Sequence, residues 1–410
     1  MSKRLKIIEA LLLYTLMLSA TLSAQWSQIK IPSNGLVLSL AIRGSNFFAG
    51  TLENGVFLST DNGSDWVAIN TGLTNTEIHS LTFSGANLFA GTYGGVFLSA
   101  DNGLNWTAVS NGLTNTYVQC VEVDGTNLFA GTLDGVFLST DNGSNWTAVN
   151  NGLPRTQVYC LKVDGTNLFA GTLDGVFLST NKGKNWTKIS SGLTNGLSYP
   201  TVNCLAVSGN TLFAGTGNGI FLSTNNGSNW TAVVVDTGIA YAEVIDLAVR
   251  GSTLFAAIYH YGVFLTINSG LNWTSVNAGL KIYEVYSLTV SDTNLFLGTS
   301  DGSIWSRPLS EILYAKERTP DLPIHFGLSQ NFPNPFNPST TIDYQITTAC
   351  HVILRVFDVL GRDVAILVNE RESVGSYSIA WNASRLPSGV YFYQLKAGSF
   401  IESKKMILTR

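Results

Sequence analysis

The chain has 410 residues, of which 12% are charged, and a formal net charge of −4. That length is enough for two domains, and no stretch is basic enough to track a phosphate backbone, so nucleic acid is excluded as a partner. Gly is abundant at 40 residues, and Asn, Ser and Thr are frequent. This is the composition of short strands joined by tight turns, because those residues supply turn conformations that others resist.

Residues 1–24 read as a signal peptide. Lys3, Arg4 and Lys6 make a basic start, Ala10 to Ala20 an apolar run, and Leu22-Ser23-Ala24 a cleavage site before Gln25. Glu9 beside the run departs from the pattern. The run is too short to span a bilayer, and no other segment is long and apolar enough to do so. No Cys follows the cleavage site, so a lipoprotein anchor is not indicated.

Internal repetition dominates residues 25–308. Leu-Phe-Ala-Gly-Thr begins at Leu88, Leu128, Leu168 and Leu212, with variants around Phe48, Phe255 and Phe296. Those seven Phe positions are separated by 40 to 44 residues, and seven Trp residues (26, 66, 106, 146, 186, 230, 273) mark the same period. Each unit holds four β runs. In the third they are Val118–Val123, Leu128–Leu133, Gly135–Thr140 and Trp146–Asn150, separated by Asp124-Gly125, Asp134-Gly135 and Asp141-Asn142-Gly143. Strict alternation places Val118 and Cys120 on one face and Val121 and Val123 on the other. Both faces are apolar, so both are covered, which makes each unit a propeller blade. The ends rule against an open solenoid. Trp26 to Ile31 is a fourth strand without a blade, and the last unit stops after its third strand near residues 303 to 308. Joining them closes seven blades and removes both edges.

Residues 309–327 read as an irregular linker, with Pro320, Pro323 and a mixed charge cluster at Lys316 to Arg318. Beyond it, runs at Thr340–Ile346, Val352–Asp358, Val364–Val368, Tyr377–Asn382, Val390–Lys396 and Ile401–Leu408 suggest a small Ig-like β-sandwich over 328–410. The predicted fold class is therefore all-β, a seven-bladed β-propeller followed by that sandwich.

The turn between third and fourth strands recurs six times, first as Ser59-Thr60-Asp61-Asn62-Gly63-Ser64-Asp65-Trp66. Its acceptor position is Asp61, Asp101 and Asp141, then Asn181, Asn225 and Asn268. Either side chain can accept hydrogen bonds from amides of its own turn, and the glycine permits positive φ. The motif resembles the Asp-box, or BNR repeat, of sialidase-like propellers, where the box is a structural turn away from the active site. A calcium loop is disfavoured by the Asn copies and the missing ligand alternation. The Asn-Gly-Ser and Asn-Trp-Thr triplets at Asn62, Asn105 and Asn145 match a glycosylation pattern, but the turn already explains them.

Sialidases gather arginines around the substrate carboxylate, and their propellers open on an arginine-proline motif. Here Arg43, Arg155 and Arg250 lie in separate blades, and the motif is missing. Glu53, Asp246 and Glu284 could supply a glycosidase carboxylate pair, although turn and rim positions account for them more simply. Asp246 stands where other blades carry Ser39, Ser80, Cys120, Cys160, Cys204 and Ser287, on the strand nearest the channel. An acid there needs water or backbone partners. The three aligned cysteines, related by rotation, point the same way and not at one another, so they read as small apolar residues and not as disulfides. Cys350 stands alone in the tail.

The loops before first strands, and those between second and third strands, share one rim by propeller convention. That rim carries Tyr93, Tyr117, Tyr199, Tyr241, Tyr259, His260, Tyr261 and Tyr283, with Glu53, Glu77, Asp134, Asp174, Glu243, Glu284 and Asp301. Tyr199, Tyr241, Tyr259, His260, Tyr261 and Tyr283 fall where the repeat length departs from 40, and they form the candidate binding patch. A solvated rim with Tyr covering the blade ends is the competing reading. No catalytic residue, metal or cofactor is expected.

The tail begins Leu328-Ser329-Gln330-Asn331-Phe332-Pro333-Asn334-Pro335-Phe336-Asn337-Pro338-Ser339-Thr340-Thr341-Ile342. Val356-Phe357-Asp358-Val359-Leu360-Gly361, Leu386-Pro387-Ser388-Gly389-Val390-Tyr391 and Ser403-Lys404-Lys405-Met406-Ile407-Leu408 follow in order. This resembles the type A C-terminal sorting domain of the type IX secretion system. The resemblance implies a Gram-negative source, recognition by the outer-membrane translocon, and delivery through the periplasm to the surface or the medium. The expected function is a non-catalytic propeller that binds an extracellular glycan, peptide or protein. Competing readings are a glycoside hydrolase acting on an extracellular polysaccharide, and an assembly factor similar to the photosystem II stability-factor family; the sorting tail argues against the latter.

Overall fold

The computed structural model describes residues 26–193, 200–233, 235, 242–318, 326–373, 375–398 and 400–409. The signal peptide, Tyr199 and Tyr241 lie outside the described residues. The chain divides into two compact units, with the boundary between Ile312 and Leu313.

The first unit contains seven four-stranded antiparallel sheets among the described residues. Blade 3 is representative: Val118–Asp124, Asn127–Thr132, Gly135–Ser139 and Thr147–Ala148, paired in chain order. Its second strand is buried on both faces, whereas the outermost is two exposed residues. The apolar side chains meet between blades. Phe89 and Val96 of blade 2 pack with Val118, Val121, Leu128 and Ala130 of blade 3. Full burial of a side chain such as Phe89 contributes about 1.5–3 kcal/mol. The glycine of the repeated phrase serves this packing. A Cβ on Gly131 would stand 2.5 Å from Cys120 Sγ and 2.8 Å from Val158 Cγ1 of the next blade.

The first strands lie side by side in cyclic order, and Val37–Arg43 of blade 1 packs against Val285–Val290 of blade 7. The strand Ser27–Lys30 pairs antiparallel with Ser303–Pro308, from Ser27 opposite Ser306 to Lys30 opposite Ser303. The orphan N-terminal strand thus completes blade 7 and pairs the otherwise open edge of Ser303–Pro308.

Two details differ from the sequence reading. Strict alternation fails in the first strand. Val118 shares a cluster with Val121 and Val123, whereas Cys120 packs toward the next blade. The cause is a β-bulge between Val118 and Cys120, which sets two residues opposite one and inverts the phase. The same register shift occurs in all seven first strands. Second, the segment read as irregular begins with a helix, Leu309–Arg318. Leu309 and Ile312, three residues apart on one helical face, are buried with Trp26, Leu280 and Trp305, and Glu311 lies in the favourable first turn. The prolines come only after this helix.

The second unit is a sandwich. Gly327–Leu328, Ser339–Ile346 and Gly375–Asn382 form one sheet; Asp363–Glu372, Cys350–Asp358, Gly389–Ala397 and Phe400–Leu408 form the other. Ile342, Tyr344 and Ile346 of the first meet Val352, Leu354, Val356, Tyr393 and Leu395 of the second. The opening motif is stitched to both sheets. Buried Asn331 donates from its backbone amide to Tyr393 Oη (2.8 Å) and from Nδ2 to Thr340 Oγ1 (2.9 Å). Asn334 Oδ1 accepts from Ile407 N at 2.9 Å, and Phe336 is 1% exposed in the core.

Candidate functional site

The bulges decide what faces the channel. Because a bulge turns two consecutive side chains to one side, each blade sends two residues inward. One ring is Ser39, Ser80, Cys120, Cys160, Cys204, Asp246 and Ser287; the other is Leu38, His79, Gln119, Tyr159, Asn203, Ile245 and Tyr286. Together they line an open cavity of about 480 Å³, within the size range of small-molecule sites.

The first ring clasps neighbouring blades. Leu81 N donates to Ser39 Oγ (2.9 Å) and Val121 N to Ser80 Oγ (3.1 Å), each from the following blade. Asp246 does the same work with a carboxylate. Its Oδ2 accepts from Leu288 N of blade 7 at 2.7 Å, and its Oδ1 from Leu247 N at 2.8 Å. Burial nevertheless outweighs these two bonds and raises its carboxyl to about 6. All four cysteines are free. Burial pushes the Cys120 thiol up to about 12, and Cys160 and Cys204 well above the usual range. These are protonated packing thiols, not nucleophiles.

The second ring is chemically varied. His79 stacks on Tyr93 with centroids 4.3 Å apart, and Tyr117 meets Tyr93 edge-on at 4.9 Å. Burial lowers the His79 imidazole to about 4, so it is neutral near pH 7. Its Nε2 is buried with no partner among the described residues. Gln119 Nε2 donates to Tyr93 Oη at 3.4 Å. Asn203 Nδ2 donates to Glu243 Oε1 (3.1 Å) and Val244 O (3.0 Å). Burial raises Tyr286 to about 12, reinforced by its hydrogen bond with Tyr259. Burial also raises Tyr159, with the charge of Glu243 adding to it.

Hydrogen bonds join segments that precede first strands to turns between second and third strands. Tyr259 N donates to Glu243 O (2.8 Å), Ser300 N to Glu284 O (3.1 Å), and Arg155 forks onto Asp134 at 2.9 Å. Of the expected patch, the rings of Tyr259 and His260 meet at a tilt of 40° with centroids 3.9 Å apart, and His260 Nδ1 is 3.6 Å from Glu284 Oε1. His260 holds φ 63°, a turn conformation uncommon for a residue with a side chain. Tyr261 and Tyr283 are 44% and 45% exposed and do not join that pair. Tyr286 does, edge-on to Tyr259 at 6.3 Å.

The second ring escaped the sequence reading, which took its candidates from loops of unusual length. A signal was present. Six of the seven first strands read Val-x-[Ser, Cys, Asp]-[Leu, Val], and the x position alone runs through Leu, Gln, Tyr, Asn, Ile and Tyr, with His79 in the seventh.

The recurrent turns lie at the other end of the third strand. Ser139 Oγ donates to Asp141 Oδ1 (2.8 Å), Gly143 N to Ser139 Oγ (2.8 Å), and Asn145 N to Asp141 Oδ1 (2.9 Å). Asp61 and Asp101 accept equivalent bonds. Asn181, Asn225 and Asn268 do so with a carbonyl oxygen at 2.9, 3.0 and 3.0 Å. Among the described residues, no group of three His, Cys, Asp or Glu side chains is placed to hold a metal ion.

Comparison with known proteins adds to this geometry. Residues 330–409 match the family model of the secretion system C-terminal sorting domain, and residues 39–168 that of the DUF6242 β-propeller domain. Among curated proteins, none matches the chain in sequence. Solved structures share its fold. YCF48 from Cyanidioschyzon merolae is 15% identical, with a TM-score of 0.56 over 70% of this chain and 99% of that one. PorZ, a surface component of the type IX secretion system of Porphyromonas gingivalis, is 15% identical, with a TM-score of 0.52 over 92% of this chain and 60% of that one. A GH74 xyloglucanase from Xanthomonas campestris is 13% identical, with a TM-score of 0.55 over 92% and 75%. At these identities the likeness is one of fold alone. The sorting domain implies secretion or attachment at the cell surface, and no helix among the described residues is long and apolar enough to cross a membrane.

Proposed function

We propose that this chain is exported through the type IX secretion system and acts outside the cell as a non-catalytic propeller that binds a glycan, peptide or protein. Export rests on the sorting-domain match at 330–409 and on the ordered tail motifs. Binding rests on one observation: a varied ring of side chains set into otherwise repeated strands, around an open cavity. Packing alone asks for similar residues in every blade, as it does at the neighbouring positions, which hold only Val or Ile and Leu or Val. Of the two channel-facing positions, one keeps to Ser, Cys and Asp, whereas the other runs through Leu, His, Gln, Tyr, Asn and Ile, and such variation on a repeated scaffold is what recognition of an asymmetric ligand requires.

Glycoside hydrolysis needs two carboxyl groups free to face a substrate bond. Asp246, the innermost acid, has both oxygens committed to backbone amides, and Glu243 is held by Asn203. The test is capture on glycan and peptide arrays by the mature chain, followed by hydrolysis assays on every hit. Turnover of a captured glycan would make the protein an enzyme, and the absence of any capture would remove the binding role.

A further inference from the structure

We infer that the channel cavity binds the uncharged end of an extracellular glycan. This rests on the binding role proposed above and names its site and ligand class. Four groups around the cavity have hydrogen-bonding capacity that the described residues do not use: His79 Nε2, Gln119 Oε1, Tyr159 Oη and Asn203 Oδ1. They mix donors with acceptors and approach from four successive blades. A sugar suits that mixture, because each hydroxyl both donates and accepts. The rings of Tyr159 and Tyr286 supply the flat apolar faces against which the C–H side of a sugar packs.

Charge narrows the class. Among the described residues lining the cavity the one cation is Lys162, and its Nζ lies 3.1 Å from Glu122 Oε1. The acids Glu243 and Asp246 have no such counterion, and Arg155 on the rim is bound to Asp134. An anionic sugar would therefore enter a site with two carboxyl groups and, among the described residues, no free cation, and like charges at short range exclude a ligand. Sialylated, uronate-bearing, sulfated and phosphorylated ends are excluded on this ground.

The experiment presents the mature chain with neutral oligosaccharides, matched oligosaccharides ending in sialate, uronate or sulfate, and a peptide array. Tyr159→Phe and Gln119→Ala each remove one polar group from the cavity, and Lys188→Ala on the outer strand of blade 4 is the control. Thermal melts establish that all three are folded. The expected result is capture of neutral sugars alone, weakened roughly three- to tenfold by each cavity variant and unchanged by the control. Capture of acidic sugars as well as neutral ones, or neutral capture indifferent to both variants, overturns the inference. Capture of peptides alone overturns it too, while leaving the binding role intact. No capture on either array overturns the binding role itself.

Discussion

The indole of Trp26 donates to the carbonyl of Val276 at 2.7 Å, across 250 residues of chain. The bond repeats one made by four other blades, whereas Trp66 donates to Gly63 O of its own turn. Trp106 reaches Ile69 O, Trp146 reaches Val109 O, Trp186 reaches Val149 O and Trp230 reaches Ile189 O, each at 2.7 Å. In these four a blade's outer Trp ties it to the blade before. Trp26 extends the pattern to blade 7, and so the first described residue belongs structurally to the last blade.

Trp26→Ala should therefore destabilise the propeller by about 3–5 kcal/mol, the range for a buried aromatic truncated to Ala. Urea unfolding followed by fluorescence measures it. Removing residues 25–31 should cost more, since Ser303–Pro308 then becomes an open edge. A Trp26→Ala protein as stable as the parent would mean that the ring does not close through this strand.

Asp246 predicts a pH dependence. Its folded carboxyl titrates near 6, above the roughly 3.9 of an unfolded chain. Because the folded value is the higher, the unfavourable charged form costs nothing below about pH 4 and its full amount above about pH 6. Asp246→Ser installs the residue used at Ser39 and Ser80. Its stability relative to the parent should rise by up to about 2–3 kcal/mol between pH 4 and pH 7 and then level off. His79 titrates in both proteins and cancels in the difference. A difference that is flat with pH would show that Asp246 is well solvated.

Much of this architecture is legible because a repeat averages out local ambiguity. Seven copies of one Phe and one Trp define the blade, and the unmatched ends around Trp26 and Trp305 define the closure. The bulge is not legible in the same way. Val118, Cys120, Val121 and Val123 are all apolar or small, so hydrophobicity carries no record of the phase change between Gln119 and Cys120. Without the bulge, Gln119 and Tyr159 read as ordinary outward residues, and the channel ring disappears from view. The helix at Leu309 was hidden for a different reason. Its buried stripe is only one turn long, and the charge cluster and prolines that follow outweigh it in any window average.

The turn motif yields a paired prediction. Asp141→Asn keeps an oxygen for Asn145 N and Ser139 Oγ, as Asn181 does for its own turn. It should leave the melting temperature unchanged. Asp141→Ala removes the acceptor from three atoms of the turn and should lower the melting temperature by about 2–4 °C. Calorimetry of the two variants separates them, and equal losses would assign the effect to charge and not to turn geometry.

The tail motif has two phenylalanines with opposite environments. Phe336 is 1% exposed, and its ring lies 5.7 Å from that of Trp381. Phe332 is 80% exposed. Phe336→Ala should cost the sandwich about 3–5 kcal/mol, whereas Phe332→Ala should fall within about 0.5 kcal/mol of the parent. Denaturant melts of the two variants read the contrast. A stability loss at Phe332 would show that its ring is covered in solution.

Where the chain may be cut follows from Leu309 and Ile312. Both are buried against Trp305 and Leu280 of the propeller, so the ring needs residues beyond its last strand. A chain ending at residue 318 should melt cooperatively, close to the temperature of the propeller in the full chain. A chain ending at residue 308 exposes Trp26 and Trp305 to water, and should lose about 2–5 kcal/mol, as expected when a buried Leu or Ile is removed. Both lack residues 330–409, the part that matches the sorting domain. In a host with the type IX system the 318 truncation should therefore accumulate, folded, in the periplasm, while the full chain reaches the surface or the medium. The comparison separates a failure to fold from a failure to be exported, since the two truncations share the second defect and differ in the first. Surface delivery of the 318 truncation would mean that the tail is dispensable for export.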